Sequence, residues 1–300
     1  MKLTGKVMLA FAAVYLFWGG TYVGIKLGLT VFPPLGMAGI RHTLAGLIML
    51  SVAVLRKEVW PTRRQLVTSM LIGVMMLTIG NGLVTLVEQT VPSAIVSLLI
   101  GAVPLWITLL NWAFGDHMTP TLSALIGVFL GLIGIAVLVL GSQADTSFEF
   151  SWIGIGLILV AALSWASGSL VSRYGQLPKS ALMNLAVQML TGGLSLSLLS
   201  LVRQEWVGFS IQSITPTALW ALVYLIVLGS LVAYSAYLWL LRHVNPTWVS
   251  TYAFVNPIVA VILGWLLAGE QLTPMALIAA LIIVGSIAVM TLAPKTTTKP

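Results

Sequence analysis

The sequence predicts an all-α integral membrane protein whose ten transmembrane helices form two inverted five-helix repeats, with both termini in the cytoplasm. Three observations lead to this prediction: an apolar composition, ten apolar runs of membrane-spanning length, and similarity between the two halves of the chain. The 300 residues are 59% hydrophobic and 7% charged, with a mean hydropathy of +1.07. A soluble domain carries about a quarter charged residues, so this composition excludes a soluble fold.

The apolar runs are long enough to cross a bilayer. About 20 residues of α-helix span a hydrocarbon core of about 30 Å. Charged residues, prolines or polar turns bound ten runs of this kind, at 7–29, 35–55, 66–89, 92–114, 121–141, 152–174, 180–202, 217–241, 246–268 and 274–293. The first run continues far beyond a short stretch that resembles a signal-peptide cleavage site, so we expect it to be an uncleaved first span.

The distribution of basic residues predicts the orientation. With the N-terminus inside, 11 of the 14 Lys and Arg residues fall in cytoplasmic segments, and only Lys26, Arg41 and Arg203 do not. Lys and Arg in short loops set the orientation of a membrane protein. The net charge of +7 therefore reflects membrane orientation. Because the sequence has no basic stripe with interleaved aromatic residues, we expect no nucleic-acid partner.

The two halves of the chain are similar in sequence. A shift of 147 residues aligns Trp18 with Trp165, and a shift of 154 aligns residues 115–120 with residues 269–274. The chain therefore divides into a first repeat at 1–141, a linker at 142–151, and a second repeat with a short tail at 152–300. Because five is an odd number of crossings, the second copy would enter the membrane from the opposite face and be inverted relative to the first. Inverted repeats are typical of secondary transporters, and a duplicated anchor without a conduit is the alternative.

Several stretches resemble a known family. They are Phe17 to Tyr22, Pro34 to Arg41, Gly80 to Gly82, Val255 to Val261 and Gly269 to Pro274. On these residues the chain resembles the EamA-type ten-helix permeases of the drug/metabolite transporter superfamily, over nearly its whole length. The stretch Gly80 to Glu88 is similar to the YedA-like subgroup. The resemblance implies a multi-pass protein of the bacterial cytoplasmic (inner) membrane that exports small solutes, often amino acids or related metabolites.

Two of the predicted spans place tryptophan near mid-membrane. In the first span Trp18, Tyr22 and Lys26 are spaced i, i+4 and i+8, and the sixth span repeats the pattern with Trp165 and Ser169. Residues at this spacing share one face of a helix. Mid-span tryptophans lie away from the headgroup level, where tryptophan usually collects. We predict that Trp18, Tyr22, Trp165 and Ser169 bind an amphipathic solute, with helix packing as the alternative.

A polar stripe runs along the third span. Asn81, Thr85 and Glu88 are spaced i, i+4 and i+7, and the shift of 154 places Trp239 at the position that corresponds to Thr85. Unpaired polar groups are costly in hydrocarbon, so the stripe must face protein or water. Asn81, Thr85 and Trp239 are predicted to bind substrate. Glu88 is either a solvated interfacial carboxylate or a group for ion pairing or coupling.

Arg41 lies about two turns inside the second predicted helix. A charge at the bilayer centre costs about 3 kcal/mol or more. We therefore predict either a structural ion pair, with Glu88 as the candidate partner, or contact with an anionic or zwitterionic substrate. Lys26 approaches the same level and is expected to snorkel toward the headgroups, with ion pairing or coupling as the alternative.

Prolines interrupt two further spans. Pro104 and Pro257 fall inside the fourth and ninth spans, where a proline frees a carbonyl and bends the helix. Bent helices at corresponding places in two repeats indicate a binding region, so both prolines are predicted hinges, with a packing kink as the alternative. The remaining residues predicted to bind substrate are Gly101, Tyr234, Tyr252 and Asn256.

These observations together predict a secondary transporter that works by alternating access. The favoured substrates are small amphipathic metabolites, above all amino acids or related compounds, moved in the direction of export. A drug or toxic-compound efflux carrier and a passive channel for small polar solutes are the alternatives. The chain has no cysteine, and it lacks HExxH, phosphate-loop and Ser/His/Asp patterns. We expect no enzymatic activity, metal or cofactor, and no obligatory partner besides solute and lipid, in a monomer or homodimer.

Overall fold

A computed structural model describes residues 5–90, 96, 99–115, 120–142, 152–268 and 274–292. Within these ranges all regular secondary structure is helical. Most of the predicted linker and both chain ends lie outside the described residues, and the predicted cytoplasmic location of the termini stays a prediction.

Six of the described helices are long and apolar enough to cross a membrane. The described residues form no strand. The six helices are Gly5–Gly28, Pro34–Leu55, Arg63–Val87, Ile153–Tyr174, Ala181–Val202 and Pro216–His243. Three shorter apolar stretches are Val103–Phe114, Leu122–Gly134 and Leu277–Val289. The class of helical membrane protein is confirmed, whereas the total of ten spans and their inverted arrangement stay predictions.

Several of these spans are built from more than one helical segment. In chain order the α-helices are α1 Gly5–Gly19, α2 Thr21–Gly28, α3 Pro34–Leu55, α4 Arg63–Ile72, α5 Gly82–Val87, α6 Val103–Phe114, α7 Leu122–Ser142, α8 Trp152–Tyr174, α9 Ala181–Val202, α10 Pro216–Tyr224, α11 Ser235–His243, α12 Pro246–Val249, α13 Tyr252–Ala268 and α14 Pro274–Leu292. Two π-helical segments, Gly73–Asn81 and Leu225–Tyr234, join α4 to α5 and α10 to α11. We refer to them as the first and second π segments.

Local sequence rules explain where the helices begin. Thr62 and Gln65 form a capping box at the start of α4, in which each side chain satisfies a free backbone N–H. The Ser180 hydroxyl accepts from the Met183 N–H at the start of α9. Proline occupies the first position of α3, α10 and α12, where its missing N–H costs nothing.

The ends of α3 and α9 have the same backbone conformation, 147 residues apart. Lys57 and Gln204 both have a φ of 54°. After each helix, the N–H groups of Glu58 and Glu205 bond back to carbonyls five residues earlier, at 3.0 Å in both cases. This is the Schellman arrangement, which satisfies the last carbonyls of a helix. The Glu205 carboxylate then accepts from the Leu35 N–H at 3.0 Å, at the start of α3.

Corresponding segments of the two halves pack against each other. Helix α3 packs on α9 and α7 packs on α14, while α1 lies against the second π segment and α8 against the first. At the α3–α9 contact, a Cβ on Gly46 would meet the Leu190 N atom, and a Cβ on Gly193 would meet the Thr43 N atom. Thr43 and Leu190 are themselves 147 residues apart. The same close backbone contact therefore occurs twice, once with the glycine on α3 and once with the glycine on α9.

We predict that Gly193→Ala destabilises the protein while Gly156→Ala does not. The added methyl at 193 would overlap the Thr43 backbone, and overpacking of this kind costs about 1 to 3 kcal/mol. At 156 nothing lies within 4 Å of the added Cβ, and alanine favours a helix over glycine by about 0.5 to 1 kcal/mol. Thermal unfolding in detergent measures both. Equal melting temperatures for the two variants would contradict the assigned α3–α9 contact.

Candidate transport cavity

A cavity lies between segments from both halves. Helices α1, α2, α3, α5 and α6 and the first π segment line it from the first half, and α8, the second π segment and α13 line it from the second. The empty space is about 690 Å³ with its open mouth included.

The two π segments shape this cavity from opposite halves. A shift of 154 moves the first segment, residues 73–81, to 227–235, which nearly coincides with the second. A π-helix leaves carbonyl groups outside the regular α-helical pattern, and such segments are frequent at functional sites. The Trp18 Nε1–H donates to the Gly229 carbonyl at 2.9 Å, and the Ser164 hydroxyl donates to the Met75 carbonyl at 2.8 Å. Met75 and Gly229 are 154 residues apart.

An aromatic cluster forms one part of the cavity wall. Trp18, Trp165, Tyr234 and Tyr252 line the cavity, and Tyr237 packs against three of them as the fifth member of the cluster. The ring centroids of Trp18 lie 5.5 Å from Trp165, 4.9 Å from Tyr237 and 5.0 Å from Tyr252. Edge-to-face pairs at these distances stabilise each other beyond simple burial. The cluster presents a rigid surface for an apolar group.

Arg41 brings a positive charge to the cavity. It is the one charged residue among the described residues that line the space, and its side chain is only 5% exposed. Its Nε–H donates to the Ser230 hydroxyl, at the second π segment, at 2.9 Å. A Cβ on the neighbouring Gly229 would lie 2.9 Å from an Arg41 terminal nitrogen, so a larger residue there would require the guanidinium to shift.

Three further polar side chains line the cavity beside Arg41. The His42 Nε2–H donates to the Asn81 Oδ1 at 3.1 Å. The His42 Nδ1 and the Asn256 Oδ1 are buried without a hydrogen-bond partner among the described residues. Buried polar groups normally have partners, and the described part of the protein supplies none to these two acceptors.

The structure brings together most of the residues predicted to bind substrate. Eight of the twelve line the cavity: Trp18, Tyr22, Arg41, Asn81, Trp165, Tyr234, Tyr252 and Asn256. Four lie outside its lining. The Thr85 hydroxyl donates to the Asn81 carbonyl, the Ser169 hydroxyl bonds to the Trp165 carbonyl and the Tyr237 hydroxyl, Trp239 stacks on His243, and Gly101 is buried in a turn. Their roles in binding stay predictions.

The predicted hinge prolines lie beside breaks in the helices. Pro104 belongs to the first turn of α6, and the chain turns just before it at residues 101–102. Pro257 is inside α13, and the break between α12 and α13 falls earlier, at residues 250–251. Pro104 therefore lies within one turn of its break, and Pro257 lies more than one turn after its break. The role of both prolines as hinges stays a prediction.

The predicted ion pair between Arg41 and Glu88 does not form in this structure. Among the described residues the ion pair joins Arg203 to Glu205. Both carboxylate oxygens of Glu88 are buried and have no hydrogen-bond partner in the described part of the chain. Lys26 is exposed, and its snorkelling toward the headgroups stays a prediction.

Sequence reasoning missed part of the cavity lining. Thr21, His42 and Ser230 line the space, and Tyr237 completes the aromatic cluster. Nothing in the sequence around Ser230 marked it as a lining residue, apart from its being a polar residue in an apolar span. His42 did have one, because an imidazole next to an embedded arginine must also be accommodated.

The whole chain is similar to known membrane transporters. The EamA-like transporter family matches at residues 5–140 and again at 152–292. The "Uncharacterized inner membrane transporter YedA" of Escherichia coli K12 is 36% identical over 94% of this chain and 90% of its own length. The "Probable amino-acid metabolite efflux pump" of Salmonella typhimurium is 28% identical, with 91% of each chain covered. A solved crystal structure has the same fold, with a TM-score of 0.76 and 18% identity over 96% of this chain and 98% of the other.

The long apolar helices and the cavity between the halves define a multi-pass membrane transporter. The chain belongs to the EamA-like transporter family, within the drug/metabolite transporter superfamily. It is a multi-pass protein of the inner membrane. The resemblance to the YedA-like permeases is thereby confirmed, and the members of this family are transporters, not enzymes.

We predict that Trp18→Phe destabilises the protein more than Trp165→Phe. Phenylalanine at 18 would leave the Gly229 carbonyl without its donor, and an unsatisfied buried acceptor costs about 1 to 3 kcal/mol. The Trp165 Nε1–H makes no hydrogen bond of good geometry among the described residues and makes only weaker polar contact with Tyr237 and Tyr252, so its loss costs less. Thermal unfolding in detergent compares the two variants. A larger loss in Trp165→Phe would contradict the assigned contact.

Proposed function

We propose that this protein is a secondary transporter that moves small amphipathic metabolites by alternating access. The observation that carries the proposal is the shared cavity. Its lining comes from segments within both ranges that match the family, 5–140 and 152–292. If the two halves change their relative position, the same site opens to one side of the membrane and then to the other.

The proposed arrangement is two inverted five-helix repeats, ten helices in all, with both termini cytoplasmic. Support comes from features that recur at related positions in the two halves. These are the matching helix ends after α3 and α9, the reciprocal glycine contacts of Gly46 and Gly193, and the two π segments. Two similar units that exchange conformations are the physical basis of alternating access.

Amino acids or related compounds are the proposed substrates, and export is the proposed direction. The lining combines an aromatic cluster with Arg41, His42, Asn81 and Asn256, which suits a molecule with one apolar and one polar end. A relative of similar length carries a name that specifies amino-acid metabolite efflux. Because the one charged lining residue among those described is cationic, cationic drugs are disfavoured. The transporter is proposed to act without an obligatory protein partner, as a monomer or homodimer.

We predict that Asn81→Ala lowers transport at least tenfold without reducing the amount of protein in the membrane. Trp18→Ala also destabilises the protein, and we predict a loss of at least tenfold in transport per folded molecule. Both side chains line the cavity. Trp220→Ala is the matched control, because Trp220 is 72% exposed on the outside of the protein. The measurement is counterflow of radiolabelled phenylalanine and leucine in proteoliposomes. Unchanged counterflow in both cavity variants would remove the proposed site, and absence of counterflow for every solute tested would remove the carrier mechanism.

Single cysteines at 57 and 204 test the inverted arrangement. The chain has no cysteine of its own, and these residues occupy matching positions after α3 and α9. In an inverted repeat they lie on opposite membrane faces. We predict that a membrane-impermeant maleimide labels Lys57→Cys and Gln204→Cys from opposite sides of oriented vesicles. Labelling of both variants from one side would exclude the inverted arrangement while leaving the cavity itself in place.

A further inference from the structure

The described part of the protein supplies a hydrogen-bond acceptor to only one of the three nitrogens of the Arg41 guanidinium. Its Nε–H donates to the Ser230 hydroxyl, but its two terminal nitrogens have no acceptor among the described residues, and Arg41 lines the cavity. A buried cation needs an anion or several acceptors. The fork of N–H donors in arginine matches the two oxygens of a carboxylate. The unused donors therefore point to an anionic ligand that the protein does not supply.

Glu88 acts electrostatically on Arg41 and is a candidate for that anion, but the two side chains form no ion pair in this structure. The two oxygens of Glu88 are buried with no donor in the described part of the chain. It follows the last residue of α5, and the C-terminal end of a helix disfavours negative charge. Burial of an isolated carboxylate without a donor favours its neutral form, because burying the charge alone costs free energy.

We propose that Arg41 is the carboxylate subsite of the cavity, and that Glu88 competes with the substrate carboxylate for Arg41 whenever Glu88 loses its proton. The inference rests on the proposed transport function and names the chemistry of its substrate. With Glu88 protonated, Arg41 is free for the substrate, whose apolar part then lies against the aromatic cluster. With Glu88 ionised, its carboxylate attracts the Arg41 guanidinium and displaces the substrate carboxylate from it.

The competition makes binding depend on pH in a defined direction. Affinity for an anion is highest where Glu88 is protonated and falls as pH rises and Glu88 ionises. Tyr22, Lys26 and Arg41 are the charged or titratable groups that act electrostatically on Glu88. His42 and Tyr224 act in turn on Arg41. His42 is the group that could mimic the effect, since a histidine also loses its proton as pH rises.

A ligand series separates the contributions of the substrate groups. Purified protein in detergent is titrated calorimetrically with phenylalanine, with 3-phenylpropanoate, which lacks the ammonium, and with 2-phenylethylamine, which lacks the carboxylate. We expect both carboxylates to bind at least tenfold more tightly than the amine. In Arg41→Gln this preference disappears. If Arg41→Gln does not fold, Ser230→Ala replaces it, and we expect a several-fold loss for carboxylates alone. Equal or tighter binding of the amine to the native protein would overturn the proposal.

The pH dependence is measured with 3-phenylpropanoate between pH 5.5 and 9, a range over which this ligand stays anionic. We expect the native affinity to fall at least threefold across the range, the Glu88→Gln affinity to stay constant, and the His42→Gln affinity to keep the native slope. A native slope in Glu88→Gln, or a flat profile in His42→Gln, would overturn the role of Glu88. Counterflow of the amine without counterflow of carboxylates would leave the carrier proposal standing and remove the Arg41 subsite.

Discussion

Backbone hydrogen bonding in an apolar medium is the constraint on which the rest of this structure depends. Lipid offers no water to an unpaired carbonyl, so a helix may depart from regular α geometry only where the protein supplies a donor. Both π segments meet this condition through a side chain of an adjacent helix, Trp18 for one and Ser164 for the other. The irregular backbone that shapes the cavity is thus possible only because the two halves pack together.

The cavity lining has an aromatic part and a polar part next to each other. One wall is aromatic, and the region around Arg41 is polar and short of acceptors. Neither part would be stable in contact with lipid, because the first would lose its ordered ring contacts and the second would leave a charge in hydrocarbon. Burial between the halves protects both.

Much of the fold follows from the sequence, and part of the site does too. The limits of the apolar runs agree with the helices to within a few residues where both are described, because length and apolarity alone decide a span. Trp18, Arg41 and Asn81 were recognisable as polar or bulky groups out of place at mid-membrane. The π segments were not, since their sequences are ordinary apolar runs whose geometry is set by neighbouring helices. Ser230 and Tyr237 were missed for the same reason, because tertiary packing alone gives them their roles.

The exchanged packing of the halves bears on how the protein is made. Helix α1 finds its contacts on the second π segment and on α13, which the ribosome synthesises some two hundred residues later. The first half therefore gains these contacts only after the second π segment and α13 have been synthesised, so its cavity-facing side chains reach their final environment late in assembly.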